Sequence, residues 1–124
     1  MPDTANLDKL QPIDFCDVLD RIGGDTLFLE ELLKIYFREY TEKKRLLAEA
    51  ISRQDFIQVS ELGHSLKGAS ANLSLTRLQK VAYSLEAAGK EKQLQLAQEA
   101  ARTLEKEIQT LKAFLEVNPP SGAV

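Results

Sequence analysis

Between Pro12 and Pro119 the chain contains no proline; the other two, Pro2 and Pro120, also lie near the ends. The whole interior is therefore free of the residue that most strongly breaks a helix, because every backbone N–H there can donate. Leu and Ala dominate the apolar residues, Trp is absent, and β-branched residues are sparse. Such a chain is built for helices rather than sheets. Its 124 residues suit one domain with a proper core.

Apolar spacing divides the interior into five segments. Phe15, Val18, Leu19 and Ile22 recur at helical spacing, with Asp14 as N-cap and Gly23-Gly24 as a stop. From Asp25 or Thr26 a long helix is predicted to about Arg53. Its stripe is Leu29, Leu32, Leu33, Tyr36, Tyr40, Leu47, Ala50 and Ile51. Nothing forces a break near Thr41. Phe28, Ile35 and Leu46 lie off that stripe, so this helix is expected to touch neighbours on more than one side. Asp55 opens a third helix to about Leu73. Ser74 or Thr76 opens a fourth to Gly89, with Leu78, Ala82 and Leu85 inward. The last runs from about Lys92 to Glu116 along Leu94, Ala97, Ala101, Leu104, Ile108, Leu111 and Leu115.

Short connections make successive long helices antiparallel. The expected fold is all-α, an antiparallel up-down-up-down four-helix bundle with a short N-terminal capping helix. The expected divisions are a loosely ordered arm over 1–13, in which Leu7 and Leu10 pack only lightly, a bundle over 14–117 and a tail over 118–124.

Charge and cysteine content narrow the function. The net charge is −3, and the basic residues form no tract beyond Lys43-Lys44-Arg45. Nucleic-acid binders concentrate basic surface to displace counterions, so no nucleic-acid partner is expected. Cys16 is the sole cysteine and His64 the sole histidine, far apart in sequence, so the spacings of a metal site are absent. No Gly-rich nucleotide loop is present, and the expectation is a protein that is not an enzyme and has no ATP site. With no apolar run long enough to span a bilayer and no signal-peptide pattern at Met1, a cytoplasmic protein without membrane association is expected.

The third helix carries the chemistry. At about 100° per residue, Val59, Leu62, Leu66, Ala69 and Leu73 share one side. His64 falls nearly opposite, together with Ser60, Glu61, Lys67, Gly68 and Ala71. That position argues against a core histidine. Gly63 and Gly68 flank it at a cost of about 1 kcal/mol each against alanine, with no folding benefit legible in the sequence. The return is space: Gly68, one turn on, leaves the ring uncovered so that a macromolecule can press down on it. Lys67, three residues after His64, is a neighbour on the helix and offers positive charge to an anion on the ring. Exposed imidazole, bare surface and lysine together suit capture of a phosphoryl group.

The stretch Gly63-His64-Ser65-Leu66-Lys67-Gly68-Ala69-Ser70-Ala71-Asn72-Leu73 resembles the signature of histidine-containing phosphotransfer (HPt) domains. Leu85-Glu86-Ala87-Ala88-Gly89-Lys90 resembles the end of that family's next helix. Leu19-Asp20-Arg21-Ile22-Gly23-Gly24-Asp25 resembles the lead into its first long helix. Ser74 stands where the family has glycine and Gly63 where alanine is common; the second change is expected to open the site further.

The resemblance implies a phosphorelay carrier in two-component signalling. His64 would accept a phosphoryl group and pass it to or from a receiver-domain aspartate. Lys67 and Lys90 would stabilise its charge, and Glu86 would contact His64 or Lys67. The expected docking surface comprises Ile57, Ser60, Glu61, Gly68, Ala71 and Glu86. The partners implied are a response-regulator receiver domain, a hybrid histidine kinase, or both. No cofactor is expected on this chain; Mg²⁺ is expected on the receiver. The alternative is a helical adaptor, a degenerate relative that binds partners without phosphate. A buried ring bonded through both nitrogens would favour that alternative.

Overall fold

A computed structural model describes residues 7–122. The remainder of the expected arm, residues 1–6, and of the expected tail, residues 123–124, lies outside the described residues. Among the described residues five α-helices follow one another: α1 Phe15–Arg21, α2 Thr26–Ser52, α3 Phe56–Asn72, α4 Thr76–Lys90 and α5 Leu94–Val117. Among the described residues there is no strand. The protein is all-helical.

Local chemistry explains the starts. Asp14, Asp25 and Asp55 each accept a hydrogen bond from the backbone N–H three residues on, at 3.0, 2.9 and 3.1 Å. Each such cap is worth about 1 kcal/mol. Helix α2 runs unbroken through Thr41.

The stops are less expected. Gly23 and Gly24 both have positive φ and end α1. The three later connections share one geometry without glycine. Gln54, Ser74 and Lys92 each take φ near +55°. The N–H of the next residue returns to the last turn: Asp55 to Ala50 at 2.8 Å, Leu75 to Ser70 at 2.9 Å and Gln93 to Ala88 at 3.0 Å. These are Schellman closures, and the residue that completes each one stands at the N-cap position of the following helix, where only Asp55 supplies a side-chain cap. Helix α4 ends at Lys90, one residue past the expected Gly89, which is buried; the left-handed residue is Lys92.

Ser74 carries a left-handed conformation that costs a non-glycine residue about 1 kcal/mol. Its side chain offsets this. Arg21 Nη2 donates to Ser74 Oγ at 2.7 Å and to the carbonyls of Ala71 and Asn72 at 2.8 and 3.1 Å. Ser74 Oγ donates to Asp17. The departure from glycine thus leaves the turn left-handed, and it ties α1 to the C-terminal carbonyls of α3, where a cation is favourable.

The core is formed by Val18, Leu29, Val59, Leu66, Leu75, Leu78, Leu85, Leu104, Ile108 and Leu111 with their neighbours. Helix α3 packs chiefly on α4, α4 on α5, and α2 on α3 and α5. Two expectations need correction. Helix α2 does meet more than one neighbour, but Phe28 and Ile35 are exposed rather than packed; only Leu46 of the three off-stripe residues lies against the core. Leu7, Pro12 and Ile13 are buried, so residues 7–13 are not a loose arm. Thr76 Oγ1 bonds the Gln11 carbonyl at 2.8 Å, and Asp14 N–H the Ser74 carbonyl at 2.9 Å. At the other end Pro120 is buried, in a short 3-10 turn against α2. Proline bars a helix but not burial, and these apolar rings close the ends of the core.

Candidate functional site

Two glycines set the distance between α3 and α4. A methyl group on Gly63 would lie 2.5 Å from the Glu86 backbone nitrogen. One on Gly89 would lie 2.5 Å from the Ser60 nitrogen. The helices therefore touch backbone to backbone at two places. This corrects the reading of Gly63: it is buried in the α3–α4 contact and does not open the ring to solvent. Its helix cost is offset by close packing. Gly68 is different. Nothing lies within 4 Å of where its Cβ would be, so it does leave bare surface.

The close crossing puts Glu86 directly against α3. The Glu86 side chain is 7% exposed, yet His64 above it is 72% exposed. Glu86 Oε2 meets His64 Nδ1 at 2.9 Å, and Oε1 accepts from Lys67 Nζ at 2.6 Å. Lys90 Nζ, one turn along α4, stands 3.5 Å from Oε2. One buried carboxylate thus gathers the imidazole and two ammonium groups. Glu86 was expected on the docking surface; burial removes it from that surface and places it beneath the ring.

Electrostatics define the state of this cluster. The hydrogen bond from Lys67 holds the Glu86 carboxyl below its ordinary value; burial opposes this, and the His64 bond and the Lys67 and Lys90 charges add to the lowering. Glu86 is therefore a carboxylate, which accepts and cannot donate. The proton in the His64–Glu86 bond must sit on Nδ1. A neutral ring then carries its lone pair on Nε2, and no described residue bonds that nitrogen. An exposed nucleophilic nitrogen, oriented by a buried base, with ammonium charge alongside, is what attack on an electrophilic phosphorus requires.

The other expected docking residues have mixed exposure. Ile57 is 74% exposed, and Glu61 and Gly68 are exposed. Ser60 and Ala71 are half-buried. Sequence reasoning missed Tyr83. Its ring lies 5.4 Å from Lys67 Nζ, within cation–π range. The available signal was its spacing: it is the sole aromatic residue of α4 and stands three before Glu86.

The Hpt domain family model matches residues 31–114. The chain belongs to the Hpt domain family. Membership means histidine phosphotransfer in two-component signalling, as phosphocarriers rather than kinases, with receiver domains and histidine kinases as interacting partners. His64, Lys67, Tyr83, Glu86 and Lys90 of this Hpt domain all lie within the matched stretch. No curated protein and no solved structure matches it. Among the described residues, no group of three or more His, Cys, Asp or Glu side chains is disposed to hold a metal ion. No helix among them is long and apolar enough to cross a membrane.

Proposed function

We propose that this Hpt domain is a phosphorelay carrier whose acceptor is His64 Nε2. The observation that carries the reading is the Glu86 carboxylate, bonded to Nδ1 beneath an exposed ring. The Nε2 lone pair attacks the phosphorus of a receiver aspartyl phosphate. The P–O bond to the aspartate breaks, its carboxylate leaves, and a P–Nε2 bond forms. The proton stays on Nδ1, so positive charge develops on the ring, and Glu86 is placed to offset it. Lys67 and Lys90 lower the electrostatic cost of bringing a phosphoryl dianion to the site. Transfer in the other direction retraces the same path.

The partner docks over Ile57, Ser60, Glu61, Gly68 and Ala71. It is a receiver domain, and Mg²⁺ belongs to its acidic pocket; this chain carries no cofactor and no ATP site. The ring of contacts among α2, α3, α4 and α5 supports an antiparallel up-down-up-down bundle capped by α1, and the place of action is the cytoplasm. The adaptor alternative called for a buried ring bonded through both nitrogens. Exposure of the ring and bonding through one nitrogen alone favour the carrier.

The test is incubation with a phosphorylated receiver domain, followed by intact mass and acid and base treatment. Wild type should gain one phosphoryl group that is acid-labile and base-stable. His64→Gln should gain none while keeping its helical content. Phosphate retained on His64→Gln would put the acceptor elsewhere.

A further inference from the structure

Lys67 is held from two sides. On one, its ammonium donates to Glu86 Oε1 at 2.6 Å. On the other, the ring of Tyr83 lies 5.4 Å from the same nitrogen. Both partners come from α4, three residues apart and hence on one face of that helix. The Lys67 side chain is 29% exposed, whereas Lys90, which has the carboxylate alone, is 67% exposed. A free lysine side chain loses rotamer entropy when it is fixed. Here two contacts restrict the side chain before any phosphoryl group arrives.

We propose that Tyr83 is a positioning residue for phosphotransfer: its ring face confines the Lys67 ammonium beside His64. The inference rests on the carrier reading above. An ammonium has three N–H donors, and Glu86 takes one. The ring attracts the cation through its quadrupole without consuming a strong hydrogen bond, so donors remain for phosphoryl oxygens. A second carboxylate in place of Tyr83 would hold Lys67 as firmly, yet would repel the incoming dianion. An aromatic face holds the cation and carries no net charge. Tyr83 is 49% exposed, so it is not committed to the core and its ring can serve the lysine.

Two substitutions, compared in the wild-type and Lys67→Ala backgrounds, separate this role from mere packing. Tyr83→Phe keeps the π face, Tyr83→Leu keeps apolar bulk without it, and each is also made together with Lys67→Ala. Two measurements are taken. The first is the proton shift of the Lys67 Hε group by NMR in the unphosphorylated protein, where a ring face above the methylene moves it upfield. The second is the initial rate of phosphoryl transfer from a phosphorylated receiver domain.

The expected result is an upfield Lys67 Hε shift in wild type and Tyr83→Phe that is lost in Tyr83→Leu. The rate of Tyr83→Leu should fall by about three- to tenfold, that of Tyr83→Phe by less than about twofold, and the difference should vanish in the Lys67→Ala background. A wild-type Hε group without the ring shift overturns the placement of Lys67. A Tyr83→Leu rate equal to wild type, or the same loss with Lys67 already removed, overturns the positioning role while leaving the carrier reading intact. A wild-type protein that gains no phosphate overturns the carrier reading and the role of Tyr83 with it.

Discussion

Gly63 of α3 faces the backbone of Glu86 in α4 so closely that a single added methyl group would lie 2.5 Å from the Glu86 nitrogen. The contact that packs these helices therefore also sets the carboxylate under His64. Because the obstructing atoms are backbone, no side-chain rotation relieves the clash. Gly63→Ala should lower stability by about 1–3 kcal/mol in urea unfolding, the range of an overpacked core. It should also slow phosphotransfer to the protein that remains folded, since Glu86 is pushed from Nδ1. Stability and transfer both equal to wild type would show that the helices separate at no cost.

Gly68→Gln is the opposite case. No atom obstructs a side chain there, and glutamine is the better helix former by several tenths of a kcal/mol. Stability should stay level or rise. Transfer from a receiver should fall by at least tenfold, because the new side chain covers the surface beside the ring. Unchanged transfer in a folded Gly68→Gln protein would remove the argument that bare surface is needed for docking.

Lys67→Ala should still accept phosphate, more slowly by about ten- to a hundredfold, as expected when one charged contact of about 1–3 kcal/mol is lost at the reacting group. Lys67→Arg should be milder, since the charge persists although the fork geometry differs. Rates from a phosphorylated receiver at two salt concentrations check this. A rate for Lys67→Ala equal to wild type at low salt would make Lys67 a bystander.

Acid should weaken the α2–α5 contact. Glu105 accepts from Lys44 at 2.7 Å, Tyr40 at 2.9 Å and Gln109 at 2.8 Å. These bonds, the one from Lys44 foremost, lower its carboxyl from 4.5 to about 2 against the effect of burial. A folded value below the unfolded one means that the stabilisation is full above about pH 4.5 and is lost as pH falls toward about 2. Unfolding free energy measured across that window should decline less steeply in Glu105→Gln than in wild type. Parallel curves would show that Glu105 contributes no pH-dependent stability.

Much of this was legible in order along the chain. The aspartates at 14, 25 and 55 announce helix starts because a cap acts within three residues, and the helical period alone puts His64 away from Val59, Leu62 and Leu66. Lys67 beside His64 follows from the same period. Ser74 and Lys92 were harder, because a left-handed turn usually advertises itself with glycine. Here side-chain bonds support Ser74, and the shared closure pattern places Lys92.

By itself the sequence determined an all-helical chain, the register of each helix, and a lone histidine on a polar face with a lysine one turn away. These are local properties, set by spacing and by interactions within a few residues. The tertiary structure decided which surfaces meet. It turned Gly63 and Gly89 from apparent openings and stops into points of backbone contact, and it buried Glu86 beneath the ring. It also left Phe28 and Ile35 in solvent and brought Tyr83 to Lys67. None of these is a property of one helix. Each depends on the distance and angle at which two helices cross, and the apolar period of a single helix carries no information about either.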